Sequence, residues 1–114
     1  DELQTAQRVV RHVPVGDSVM AAILELVRSG RPNSSDIPEV IEHVAWGPGP
    51  RASQALMLAV RARAVIGGRL APSIDDVLAL AQPVLRHRMA LNFAARAEGV
   101  TLEKIIDKLA SRIG

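Results

Sequence analysis

The apolar positions of this 114-residue chain recur mainly at helical spacing and divide it into short amphipathic segments. Residues 2–12 place Leu3, Ala6 and Val10 on one stripe and predict a short helix. Val13, Pro14 and Val15 predict an extended link, because proline disfavours helix in the residue before it. Val19, Ile23 and Val27 then fall at i, i+4 and i+8, with Met20 and Leu24 beside them and Asp17 as the expected N-cap. Gly30 and Pro32 stop that helix, and residues 31–36 form a polar loop. A short helix is expected over 37–44, with Ile37, Val40, Ile41 and Val44 facing inward.

The stretch Gly47-Pro48-Gly49-Pro50-Arg51 is a stiff turn that opens the next helix, which runs to Gly67 and Gly68. That helix is apolar on nearly every side, leaving Ser53, Gln54 and Arg61 on one arc, so it is expected to be the most buried element. Leu56 and Ala59 should face neighbouring helices. Ser73 with Asp76 reads as a capping box, with Asp75 at the positive end of a helix that buries Ile74, Val77, Leu78 and Ala81. Pro83 should kink or split it, leaving a second piece over 84–89. Residues 91–99 read as irregular, with Phe93 and Ala94 as anchors. Thr101 caps a last helix carrying Leu102, Ile105, Ile106, Leu109 and Ile113 at helical spacing. The fold class expected is all-α: one small bundle over residues 1–114, with four principal helices and one or two short ones.

Composition narrows this further. The chain is 48% hydrophobic but has only Trp46 and Phe93 as aromatics, so Leu, Ile, Val, Ala and Met must build the core, which favours packed helices over a sandwich. There is no cysteine, hence no disulfide framework and no thiolate metal site, which fits a reducing, cytoplasmic setting. The formal charge is +2, but residues 51–97 carry seven arginines against Asp75 and Asp76 alone. Such a basic half suits either an anionic partner or simple solvation.

Candidate chemistry is sparse. No G-x-x-x-x-G-K-[ST] loop is present, and Gly67-Gly68 lacks the Lys-Ser/Thr pair that would follow. Asp75 and Asp76 are adjacent and point apart on a helix, so they do not form an acid/base pair. His12, His43 and His87 are widely separated, and no metal site is expected. Arg51 is the strongest candidate: a guanidinium placed at a helix start by a rigid turn offers a planar donor fork suited to phosphate. Arg86 and Arg88, flanking His87, are possible supporting basic residues.

Two blocks together resemble the MoxR family of AAA+ ATPases. Gly47-Pro48-Gly49-Pro50-Arg51-Ala52-Ser53 is similar to its G-x-S-P-R-A-S stretch, and Pro83-Val84-Leu85-Arg86-His87-Arg88 to its PVLRHR stretch. Ala62-Arg63-Ala64, Gly68-Arg69, residues 72–77 and Glu98-Gly99-Val100-Thr101 resemble the family's A-R-A, G-R, T-P-E-D-V and E-G-V-S/T elements. The Val13-x-Val15 and Val27-Arg28-x-x-Arg31-Pro32 segments fit the family's lid entry. Gly49 stands where the family has serine, which loosens the turn but keeps Pro50 and Arg51. The resemblance implies the C-terminal helical lid of such an ATPase, an excised part of a longer chain whose α/β core carries catalysis. It implies that Arg51 is the sensor-2 arginine reaching the nucleotide's terminal phosphates, and that ATP and magnesium are cofactors of the full-length protein. It further implies no catalysis by this chain alone. The partners implied are the AAA+ core, neighbouring ring subunits and von Willebrand factor A-type proteins, in chaperone-like remodelling or assembly. The alternatives are an arginine-rich nucleic-acid-binding module and a plain protein-interaction domain. A groove-binding helix needs polar and basic side chains for base edges, and the Arg51 helix is too apolar for that. Neither a membrane nor nucleic acid is an expected partner.

Overall fold

The computed structural model describes residues 13–113; the helix expected over 2–12 lies outside them. Four principal helices and two short ones form the described chain: α1 (Asp17–Ser29), α2 (Pro38–His43), α3 (Pro50–Ile66), α4 (Ile74–Leu85), α5 (Phe93–Ala97) and α6 (Leu102–Ser111). This is the helical bundle expected from the sequence. Two short strands, β1 (Val44–Trp46) and β2 (Ala90–Leu91), add an antiparallel ladder pairing Val44 with Leu91 and Trp46 with Ala90. No described helix is long and apolar enough to cross a membrane.

The centre of the bundle is the α3–α4 hairpin, with α1 packed on both helices and α6 packed on α4. Ile23 and Leu26 of α1, Leu56 and Val60 of α3, Val77 and Leu85 of α4, and Ile106 and Leu109 of α6 are fully buried and in contact within one cluster. α3 is not the most buried element expected. It buries one stripe, Ala52, Leu56, Val60 and Ala64, at four-residue intervals, while Ala59 is part-buried and Leu58 and Ile66 are exposed. An all-round apolar sequence therefore serves a helix that uses a single face inside this domain.

Local signals mostly hold. Gly67 caps α3 and Gly68 adopts φ +72°, a left-handed turn that favours glycine. The Thr101 hydroxyl accepts Lys104 N–H at 3.4 Å, and Asp76 supplies its arm of the capping box by accepting Ser73 N–H at 2.7 Å. Others shift. Gly16 is the N-cap of α1, which puts Asp17 one residue inside the helix, at its positive end. Ile41 is exposed, because α2 stops at His43 and Val44 turns inward as part of β1. α4 runs unbroken through Pro83 and ends at Leu85, so residues 86–88 form a turn instead of a second helical piece. Pro83 lies on the exposed side, as does Ala79, whose carbonyl loses its usual donor there and faces water. Phe93 is 85% exposed; Ala95 is the residue of α5 that enters the core, after the Asn92 side chain caps the helix by accepting Ala95 N–H at 2.9 Å.

Candidate functional site

α3 begins on a turn that can make few hydrogen bonds of its own. Pro48 and Pro50 have no N–H, so residues 48–50 offer only the Gly49 amide. The turn is held from outside instead. Pro48 is fully buried. Gly47 lies with its backbone directly on the end of α1: a Cβ there would sit 2.3 Å from Gly30 O and 2.7 Å from Arg31 Cα, which only glycine avoids. Arg31 Nε donates to the Pro48 carbonyl at 2.7 Å across 17 residues of sequence. Gly49 then serves as N-cap and Pro50 takes the first helical position.

Arg51 follows immediately, exposed, and its guanidinium has no hydrogen-bond or salt-bridge partner among the described residues. The first turn of α3 contains no acid. A cation at the positive end of a helix gains nothing from the helix dipole, whereas an anion there meets both the dipole and the guanidinium. This corner of the domain thus presents an exposed positive charge beside the positive end of a helix, with no acid in the first turn.

The other sequence candidates have different surroundings. Arg88 Nη1 donates to Val84 O at 2.8 Å, satisfying a carbonyl at the end of α4. Arg86 is exposed at the C-cap of α4, and neither arginine shares a hydrogen-bond partner with Arg51 among the described residues.

A buried ion cluster went unrecognised in the sequence. Asp76 is inaccessible to solvent and accepts from Arg63 Nη1 at 2.6 Å and from Arg69 Nη1 and Nη2 at 2.7 and 2.6 Å. With the Ser73 amide at 2.7 Å and the Ser73 hydroxyl at 3.4 Å this gives its carboxylate five donors. The Arg69 guanidinium is the leading reason that its pKa lies well below the usual carboxylate range; burial opposes that shift, and the Ser73 amide and Arg63 reinforce it. The cluster ties the last turns of α3, the Gly67–Gly68 bend and the start of α4 into one unit. It also engages two of the seven arginines in the basic half internally, so that surplus is not one continuous surface.

Glu42, His43 and Glu98 also come together, with His43 Nε2 3.2 Å from Glu98 Oε2 and 3.9 Å from Glu42 Oε1. An Nε2–H bond to Glu98 accounts for that contact. His43 Nδ1 is buried without a partner, so the ring lacks the acceptor that fixes a metal-bound imidazole. The set works as a tether between α2 and the turn after α5.

Comparison with known proteins places these features in a family. The AAA lid domain family matches residues 40–109. The Bacillus subtilis protein YeaC, of uncharacterised function, is 36% identical over 107 residues, covering 94% of this chain and 31% of that protein. Chaperone MoxR1 of Mycobacterium tuberculosis is 31% identical over 83 residues, covering 73% of this chain and 22% of that protein. A crystal structure from Cytophaga hutchinsonii, of a protein assigned as an ATPase, superposes with a TM-score of 0.87 at 26% identity over 94% of this chain and 33% of that one. The chain thus spans about a third or less of each relative's length. A four-helix bundle opening its central helix on a braced Pro/Gly turn, matched along most of its length by these relatives, identifies the chain: it belongs to the AAA lid domain family, as a lid of the MoxR-like type.

Proposed function

We propose that this chain is the nucleotide-responsive lid of a MoxR-like AAA+ ATPase and that Arg51 is its sensor-2 residue. The observation that carries this reading is an exposed guanidinium, unpaired among the described residues, on a turn the domain itself holds rigid. In this reading the lid closes over ATP and magnesium bound to an α/β core, and Arg51 contributes charge-assisted hydrogen bonds where negative charge gathers on the γ-phosphate. Lid position then follows the phosphate state and couples hydrolysis to chaperone-like remodelling, in a cytoplasmic ring that acts with von Willebrand factor A-type partner proteins. Arg86, exposed and without a side-chain partner among the described residues, is available for a supporting contact, while Arg88 shapes the end of α4.

The test is Arg51→Ala. In the isolated chain the melting temperature should stay at the wild-type value, since the side chain is exposed. In the full-length ATPase turnover should fall roughly ten-fold or more, on the scale of one decade per 1.4 kcal/mol. Arg51→Lys should restore only part of it, because an ammonium lacks the planar fork. Wild-type turnover by a folded Arg51→Ala enzyme removes the sensor assignment.

A further inference from the structure

The turn before a helix sets where its first side chains start, and the turn before Arg51 cannot fix itself. Its two prolines supply no N–H, and Pro48 is buried, so the Pro48 carbonyl must find a donor inside the protein. That donor is Arg31 Nε, at 2.7 Å. The bond is unusual in its economy. Nearby charged residues pair with opposite charges, Arg28 with Glu25 at 2.7 Å and Arg112 with Asp36 at 2.6 Å. Arg31 has no acidic partner among the described residues and directs its guanidinium to a neutral carbonyl. The contact of Gly47 with Gly30 and Arg31 seats the two backbones together, and Gly30 in turn packs against Pro48: a Cβ at Gly30 would lie 3.0 Å from Pro48 Cδ. The end of α1 and the start of α3 therefore meet at two glycines and one charged hydrogen bond.

We propose that Arg31 is a positioning residue for Arg51, acting through the Pro48 carbonyl to set the direction in which α3 leaves the turn. The proposal rests on the sensor-2 reading for its catalytic consequence, but its structural half stands on Arg31 alone. Without the Arg31 donor, the Pro48 carbonyl must turn towards water. Pro48 is three residues from Arg51, with only Gly49 and Pro50 between, so that rotation is transmitted to the first turn of α3. The amide of Ala52, which donates to Gly49 O at 3.0 Å, reports on it directly. Misplacing a catalytic contact by about 1 Å can cost on the order of a hundred-fold in rate, so a small rotation suffices.

The experiment has two arms. In the 114-residue chain, Arg31→Met keeps the aliphatic stem and removes the donor, and Arg31→Lys returns a donor. Nuclear magnetic resonance should show displaced Ala52 amide and Arg51 Nε signals in Arg31→Met, with the signals of the Gly67–Gly68 bend at the other end of α3 unmoved, and partial return in Arg31→Lys. In the full-length ATPase, Arg31→Met should lower turnover roughly three- to ten-fold, less than Arg51→Ala does, and the same change in an Arg51→Ala background should have no further effect. Unmoved Arg51 and Ala52 signals overturn the proposal, as does an equal loss of turnover in both backgrounds. A wild-type rate for Arg51→Ala refutes the sensor reading instead, and the resonance arm then decides the structural claim by itself.

Discussion

Asp76→Asn is the most informative perturbation of the fold. It is nearly isosteric, so it leaves no cavity, yet it removes the charge that gathers Arg63, Arg69 and the Ser73 amide. Removing one partner of a buried ion pair typically costs 3–5 kcal/mol when the other charge stays buried and unpaired. Here Arg63 and Arg69 are 46% and 39% exposed, so both can be rehydrated, and part of that penalty disappears. What remains is the loss of several charge-assisted hydrogen bonds, each worth about 1.5–3 kcal/mol net and not additive. The expected destabilisation is about 2–4 kcal/mol. At roughly 4–8 °C per kcal/mol for a domain of this size, the melting temperature should fall by about 10 °C or more. Asp76 has its folded-state pKa below its unfolded value of about 3.9. Its stabilisation is therefore fully present above that unfolded value and is lost as pH falls through the acid range towards the folded value. Wild-type stability should decline below about pH 4 more steeply than that of Asp76→Asn, with the difference approaching one proton. Asp36, held down to about 2 mainly by Arg112, titrates in the same range but is exposed and common to both proteins, so it cancels in the comparison. Urea unfolding at several pH values measures both effects. A variant within about 0.5 kcal/mol of wild type at neutral pH, or with the same acid slope, would refute the reasoning.

Two further outcomes follow from the packing and from the absence of a phosphate loop. Leu56→Ala, in the fully buried stripe of α3, should destabilise the chain by roughly 2–5 kcal/mol in denaturant unfolding, and a wild-type midpoint would show that the α1–α3–α4 junction is not close-packed. The purified chain should release no phosphate from ATP in a magnesium-dependent manner, because phosphoryl transfer needs several charged groups arranged around the metal. A steady rate from this chain would place catalytic groups within it and contradict the lid assignment.

Helices α1 and α6 were legible because each must bury a stripe, and burial at four-residue intervals leaves its mark on the sequence: Val19, Ile23 and Val27 in α1, Ile105 and Leu109 in α6; the one buried stripe of α3 was masked by apolar residues on its other faces. The capping residues Ser73 and Thr101 were legible for the same local reason. The sheet was not. Its strands are three and two residues long, too short for alternation to register, and their pairing joins residues more than forty apart. Hydrophobicity alone does not give the orientation of α5: once Asn92 caps it, the inward direction falls to Ala95 and Phe93 faces solvent. Arg51 stood out in the sequence because proline and glycine announce the turn that precedes it. Arg31 did not, since its partner is a backbone carbonyl 17 residues away. The Ser73–Asp76 spacing was visible, but which arginines would reach the carboxylate depends on how the α3–α4 hairpin closes.

The position of Trp46 gives this lid a reporter of its own. The chain contains one tryptophan and no tyrosine, so its near-ultraviolet emission arises essentially from a single side chain. That indole is 56% exposed and sits one residue before Gly47, where the chain enters the braced turn. Any closure that covers this corner changes the polarity and quencher access of the one fluorophore, while rearrangements at the far end of the α3–α4 hairpin leave its surroundings intact. In the 114-residue chain, any contact that covers this corner can therefore be followed optically without a label.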